Sequence, residues 1–289
     1  MIGRVIKFHN SFFFVESGGE LIACSLRGLL KRFKKQTGVC PGDFVELERN
    51  ADGSGVIKRV VDRKNLLTRP AAANVDQLII TFAVRDPDIH PLLLNRFLVL
   101  AEASGVEDIS ICLNKIDLDE SFSLDGYEKL YDIIRVSARS GFGIERLKQK
   151  LADRVTLFTG PSGVGKSSLL NAIDPSIDQT VGKISDRIKR GKNTTRVSEL
   201  IKFAGGYLVD TPGFSAVELS ELGVDDKNLA HHFREFHAFA AQCRFNPCSH
   251  SHEPDCAVKD AVDNNLILDQ RYQSYISMLK ELNERKSKL

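Results

Sequence analysis

The sequence predicts a multidomain fold: an N-terminal OB-like β-barrel over residues 1–68, a central α/β domain over 71–219, and a C-terminal, mainly α domain over 220–289. Three observations carry that division. The first 65 or so residues hold short apolar/polar alternations broken by turn residues, the pattern of half-buried strands. From about residue 71, apolar runs alternate with helical patterns, which specifies a mostly parallel sheet covered on both faces. After residue 220 the chain reads as helical around a short segment containing three cysteines and two histidines.

In the barrel region the strand patterns fall at residues 3–8, 11–16, 20–25, 43–48 and 55–61. Ser17-Gly18-Gly19 and Asn50-Ala51-Asp52-Gly53 supply turn chemistry between them. Five short strands with no long helix point to a small barrel of the OB type. Residues 27–35 are basic with one aromatic, Phe33. A nucleic-acid-facing loop and a solvated charge run fit that composition equally.

In the central domain, residues 77–84 form a continuous apolar strand and 91–104 an amphipathic helix. A second strand, 108–113, runs straight into Asn114. Strands at 132–136 and 154–159 follow, with a helix at 143–152 between them. A helix over 166–173 and strands at 197–203 and 206–209 complete the domain. The motif-bearing loops lie at the carboxyl ends of these strands, where open parallel sheets bind ligands.

Gly160-Pro161-Ser162-Gly163-Val164-Gly165-Lys166-Ser167 matches G-x-x-x-x-G-K-S between a strand and a helix. Glycines let backbone N–H groups turn inward around phosphates, and the helix N-terminus adds its dipole. Lys166 is placed to neutralise β and γ oxygens, Ser167 to ligate Mg²⁺, and Ser168 to complete the first helical turn of the cradle. The base is specified by Asn114-Lys115-Ile116-Asp117. The Asp117 carboxylate can accept both N1–H and the exocyclic amine of guanine, a donor pair adenine lacks. Asn114 and the Lys115 stem hold the ring. Ser137-Ala138, again just after a strand, offers a backbone N–H to the guanine oxygen. Asp210-Thr211-Pro212-Gly213 fits D-x-x-G, which supports Mg²⁺ through water and presents the Gly213 N–H to the γ-phosphate. Thr194 or Thr195, in the basic stretch 187–196, completes the Mg²⁺ shell, and the sequence does not choose between them.

These motifs specify GTP and GDP with Mg²⁺, but their order is rotated. The base-reading elements precede the phosphate loop, so the central domain is a circularly permuted P-loop GTPase domain. Just after Gly213, where many small GTPases carry a Gln that orients the attacking water, stands Phe214. Its ring cannot position or deprotonate water, so unassisted hydrolysis is expected to be slow.

Cys243, Cys248 and Cys256, with His250 or His252, form a Cys3His set within fourteen residues, a donor set that suits tetrahedral Zn²⁺. With no open coordination position, the ion would be structural and would pin a small region that has little core of its own.

The bulk properties bound the rest. The chain has 289 residues, 42% apolar and 27% charged, with a formal charge of +2. Partners therefore have to be argued from local clusters rather than net charge. No apolar run approaches the roughly 20 residues of a membrane span, and the N-terminus lacks a signal-peptide core, so the chain reads as cytoplasmic without a membrane partner. Six cysteines, three of them scattered, do not look like a disulfide framework. Monomer is the default oligomeric state.

Permuted GTPase motifs, an N-terminal barrel and a C-x4-C-x-H-x5-C segment together resemble the bacterial ribosome small subunit-dependent GTPase family, RsgA, also called YjeQ or YloQ. The resemblance covers essentially the whole chain. It implies an OB-fold, a permuted GTPase domain and a zinc domain acting on the small ribosomal subunit and its rRNA late in maturation. It also implies weak hydrolysis that the subunit stimulates, and it selects His250 over His252 as the fourth zinc ligand. The family commonly carries His where this chain has Asn193. Asn193 can hydrogen-bond but cannot act as a base near neutral pH, so no catalytic residue is assigned. A regulatory GTPase with a non-ribosomal protein partner would share every nucleotide motif, and it would show no response to ribosomal subunits.

Overall fold

A computed structural model describes residues 1–27, 38–175, 198–209 and 218–286. Thr194, Thr195, Asn193, Asp210, Gly213, Phe214 and most of the basic stretch at 27–35 lie outside the described residues.

Strands β1 (Ile2–His9), β2 (Phe12–Ser17), β3 (Glu20–Leu26), β4 (Phe44–Arg49) and β5 (Gly55–Val60) close into a barrel in the order β1-β2-β3-β5-β4. The β3–β5 pair is parallel and the others antiparallel. The predicted alternation is what fills it. Val5, Phe13, Val15, Ile22, Cys24, Val45, Leu47 and Ile57 point inward as one apolar cluster.

A short hairpin, β6 (Leu66–Thr68) with β7 (Ala71–Ala73), leads out of the barrel. Its base is stapled by two asparagines. Asn65 Nδ2 donates to the Val75 carbonyl at 2.8 Å, and Asn74 Nδ2 reaches back to the Gly42 carbonyl of the barrel at 3.0 Å.

The central sheet has six strands: β8 (Gln77–Ala83), β9 (Asp108–Asn114), β10 (Asp132–Arg135), β11 (Val155–Thr159), β12 (Leu200–Phe203) and β13 (Gly206–Val209). Their spatial order is β10-β9-β8-β11-β13-β12, all parallel except β12, which pairs antiparallel with β13. All residues of β8 and β11 are buried, which is why both read as unbroken apolar runs. The phosphate-loop strand, β11, is the fourth of these strands along the chain yet lies in the middle of the sheet. That is the permutation expressed as topology.

Helix α1 (Pro91–Ala103) covers one face of the sheet, while α2 (Ile144–Leu151) and α3 (Lys166–Ile173) cover the other. The C-terminal region contributes a helical turn α4 (His237–Ala240), α5 (Ala257–Asp263) and the long α6 (Asp269–Lys286). It has little separate core, as expected. Phe233, Phe236, Val258, Tyr275 and Met278 join Leu94, Phe97 and Leu98 of α1 in one continuous cluster.

Two details differ from the sequence reading. The hairpin β6–β7 has strands of only three residues, too short for a period-2 pattern to stand out. The strand expected over 197–203 is regular only from Leu200 to Phe203, with Glu199 forming an isolated bridge to Lys7 of the barrel.

Candidate functional site

The carboxyl ends of β8, β9 and β11 converge on the phosphate loop. Gly165 caps α3 in a left-handed conformation, φ 90°, and a Cβ there would come within 2.3 Å of Asn114 Nδ2. Gly160, at the end of β11, lies so close to β8 that a Cβ would meet the Thr81 carbonyl at 2.1 Å. At these two motif positions the neighbouring chain by itself leaves no room for a side chain. Lys166 Nζ donates to the Gly160 and Pro161 carbonyls, both at 2.7 Å. Burial lowers its pKa below the usual lysine value. A partly desolvated ammonium at the loop mouth is the group that gains most from an anionic phosphate. Ser167 and Ser168 are exposed in the first turn of α3, while Val164 is buried beneath the loop.

Asn114 is 1% exposed and joins two loops. Its Nδ2 donates to the Val164 carbonyl at 2.9 Å, and its Oδ1 accepts the Ala138 N–H at 3.2 Å. The Ala138 N–H expected to read the guanine oxygen is thus held by a long hydrogen bond inside the site. Asp117 Oδ1 accepts Ser137 Oγ–H at 2.5 Å, which orients the carboxylate, and Ser137 Oγ in turn accepts the Ser140 N–H at 3.0 Å. The structure therefore brings Asn114, Lys115, Asp117, Ser137, Ala138 and the phosphate loop together.

A third wall was not legible in the sequence: the loop after β8. Lys115, at φ 60°, donates its ammonium to the Asp86 carbonyl. Arg85 Nη2 donates to Asp119 Oδ2 at 3.0 Å, linking this loop to the turn that follows Asp117. In the sequence only the turn-forming pair Asp86-Pro87 marks this loop, and in the structure Asp86 takes a left-handed conformation, φ 50°, which Asp tolerates better than most residues.

Near the C-terminus, one ligand atom each from Cys243, Cys248, His250 and Cys256 lies within 4.8 Å of the others. Cys256 Sγ is 3.8 Å from both Cys243 Sγ and Cys248 Sγ, and His250 Nδ1 is 3.5 and 3.4 Å from Cys243 and Cys256. A tetrahedron with Zn–S of about 2.3 Å and Zn–N of about 2.0–2.1 Å has S···S edges near 3.8 Å and S···N edges near 3.5 Å. Four of the six edges of the cluster match zinc, the other two are within 4.8 Å, and the sulfurs are far too widely spaced for a disulfide. Burial pushes the Cys248 thiol up to about 12, so a divalent cation is what would hold it as thiolate. His252 is exposed and its Nδ1 faces Ser251 Oγ at 3.0 Å, which separates it from His250. Tyr272 and Tyr275 hydroxyls donate to the His250 and Ser249 carbonyls at 2.9 and 2.5 Å, seating the loop on α6.

A family model described as RsgA GTPase matches residues 60–220, and one described as RsgA N-terminal domain matches residues 2–57. A protein of Thermotoga petrophila named small ribosomal subunit biogenesis GTPase RsgA is 42% identical, the match covering 99% of this chain and 98% of that protein. A protein of the same name from Caldanaerobacter subterraneus is 40% identical over 99% and 97% of the two chains. The crystal structure of YjeQ from Thermotoga maritima superimposes with a TM-score of 0.80 at 39% identity, covering 97% of this chain and 98% of that one. YloQ, described as a circularly permuted GTPase, gives 0.77 at 31% identity, covering 98% and 95%.

Proposed function

This chain belongs to the RsgA GTPase family and is a GTP-hydrolysing enzyme, and from that premise we propose that it assists late maturation of the small ribosomal subunit, which in turn stimulates its hydrolysis of GTP to GDP and phosphate. One observation carries this reading: relatives named for small-subunit biogenesis match at 40–42% identity along 97–99% of the chain, barrel and Cys/His region included.

In this reading Asp117, oriented by Ser137, accepts the two guanine donors, and Asn114, Lys115 and Ala138 frame the base. Gly160, Pro161, Ser162, Gly163, Val164 and Gly165 wrap the phosphates, Lys166 leaves its two carbonyls for β and γ oxygens, and Ser168 closes the cradle at the first turn of α3. Ser167, with Thr194 or Thr195 and with Asp210, would hold Mg²⁺, which would supply charge neutralisation on those oxygens. Gly213 reports the γ-phosphate. Cys243, Cys248, His250 and Cys256 hold one structural Zn²⁺.

GTP, through the γ-phosphate contacts assigned to Thr194 or Thr195 and Gly213, favours the state in which the barrel and the C-terminal region engage rRNA together. Hydrolysis removes those contacts and lowers the affinity. Basic residues at 27–35 and 280–288 make binding weaken with salt. The protein acts as a cytoplasmic monomer. Among the described residues no helix is long and apolar enough to cross a membrane.

The test is the GTPase rate with and without purified small subunits, in wild type and in Lys166→Ala. Stimulation of the wild type and silence of the variant are expected. An unchanged wild-type rate at saturating subunit would instead favour a non-ribosomal protein partner.

A further inference from the structure

The hairpin β12–β13 occupies a particular place in the chain. It begins five residues after Thr195 and ends at Val209, the residue before Asp210, so it is the only covalent link between the two segments assigned to sensing the γ-phosphate. Its β13 strand pairs parallel with β11, which runs into the phosphate loop. Any slide of the hairpin along β11 would move Leu200 and Val209, the two points from which the chain continues toward those segments.

The barrel grips this hairpin. Lys202 and Tyr207 are cross-strand partners on β12 and β13. Glu16 of β2 takes one with each carboxylate oxygen: Lys202 Nζ donates to Oε1 at 2.5 Å and the Tyr207 hydroxyl to Oε2 at 2.9 Å. Arg4, the register partner of Glu16 on β1, places its guanidinium 5.2 Å from the Tyr207 ring centre and 4.5 Å from that of Phe44. At the start of the hairpin, Glu199 makes an isolated antiparallel bridge to Lys7, reinforced by an ion pair at 3.2 Å. Glu16 is 18% exposed, but Lys202 is 68% exposed, so the better shielded of its two bonds is the one from the part-buried Tyr207 hydroxyl.

A carboxylate with one oxygen on each strand fixes both strands in register with each other and with the barrel. A single-residue slip of either strand would turn Lys202 or Tyr207 to the opposite face and break the contact.

We infer that Glu16 is a positioning residue for GTP hydrolysis: from the barrel, it sets the placement of the β12–β13 hairpin, from whose two ends the chain continues into the segments assigned to the γ-phosphate. Glu16 acts through Lys202 and Tyr207, and these contacts join the barrel to that hairpin. This inference rests on the assignment of Thr194, Thr195, Asp210 and Gly213 given above.

The experiment uses the full chain with Glu16→Ala, Glu16→Gln and Tyr207→Phe. It measures the Kd of GDP, the Kd of a non-hydrolysable GTP analogue with Mg²⁺, kcat, and thermal stability. GDP contacts the phosphate loop and base loops, which the hairpin does not form, so its Kd is expected to stay within about twofold. The ratio of analogue to GDP affinity is expected to move by about threefold or more in Glu16→Ala, with a fall in kcat. Glu16→Gln keeps an acceptor for one partner and is expected to recover part of that change. Tyr207→Phe is expected to add less in the Glu16→Ala background than alone. An unchanged ratio, or equal weakening of both nucleotides, would overturn the inference, and a lowered melting temperature with an unchanged ratio would reduce Glu16 to a structural contact. A wild-type protein that does not distinguish the analogue from GDP would sink the switch assignment and this inference together.

Discussion

Asn114 donates its side-chain amide to the Val164 carbonyl at 2.9 Å, so the end of β9 and the loop between β11 and α3 are joined through one buried side chain. The same residue accepts the Ala138 N–H, adding the third loop. Asn114→Ala leaves a carbonyl and an amide in the site without their partner, at about 1–3 kcal/mol for each that stays dry. GDP and GTP affinities should fall together by about tenfold or more. Fluorescent-nucleotide titration checks this, and a loss confined to one nucleotide would contradict it.

Asp117 is held by Ser137 at 2.5 Å with its carboxylate available to two donors. Asp117→Asn puts a donor against the exocyclic amine of guanine, costing about 2 kcal/mol or more. It matches xanthine, which presents a carbonyl at that position. The variant should lose GTP hydrolysis at ordinary substrate levels and regain it with xanthosine triphosphate. Failure of that exchange would remove Asp117 from the base site.

Most of this arrangement is readable from sequence because each motif sits where an apolar run stops. Residues 77–84, 109–113 and 155–159 are buried on both faces, so the ends of these runs locate the edge of the sheet where the motif loops meet. The barrel was legible for a different reason: inward residues recur at every second position, as in Phe13 and Val15, Ile22 and Cys24, and Val45 and Leu47. What escaped depends on contacts between distant segments. Lys115 meets Asp86, Glu16 meets Lys202 and Tyr207, and Arg271 meets Glu235, and none of these pairs leaves a periodic trace. The choice of His250 over His252 needed the resemblance in sequence, and in the structure it is decided by burial and by distance to the sulfurs.

At the opposite edge of the sheet, Asp108 receives Lys150 Nζ at 3.0 Å and Arg154 Nη1 at 2.6 Å. Burial alone would raise this carboxyl, and the hydrogen bonds from Lys150 and Arg154 overturn that and hold it below the usual range. A depressed carboxylate pKa means the stabilisation is complete above the unfolded value, near 4, and is lost as pH falls through the lower folded value. Asp108→Asn should therefore melt below wild type at pH 7, and the two should converge in strong acid. A melting difference that persists unchanged at low pH would assign the effect to packing instead.

The Cys/His cluster predicts one tightly held zinc per chain. His250→Ala or Cys256→Ser opens the tetrahedron, and the loop it closes is seated on Tyr272 and Tyr275 of α6. Metal analysis should show sub-stoichiometric zinc, and the melting temperature should fall by about 10 °C if about 3 kcal/mol is lost. His252→Ala should leave both unchanged. Loss of zinc in the His252 variant would reverse the ligand assignment.

Arg271 gives the sharpest test of where the C-terminal region ends and the GTPase domain begins. It is fully buried, donates to both oxygens of Glu235 at 2.5 and 2.8 Å, and reaches Asn95 Oδ1 on α1 at 3.1 Å. Asn95 also accepts the Tyr127 hydroxyl at 3.0 Å and donates to Ser274 at 2.8 Å, so the network crosses the boundary between the two regions. Removing either charge alone strands the other in a medium that cannot solvate it, at about 3–5 kcal/mol. Replacing both, as in Arg271→Met with Glu235→Leu, should cost less than the sum of the single changes. Because Asn95 and Tyr127 belong to the nucleotide-binding domain, Arg271→Met should lower the melting of that domain together with the zinc region, in one transition. A separate early transition of the zinc region, with nucleotide-stabilised melting of the rest unchanged, would show that the network does not bind the two regions into one cooperative unit.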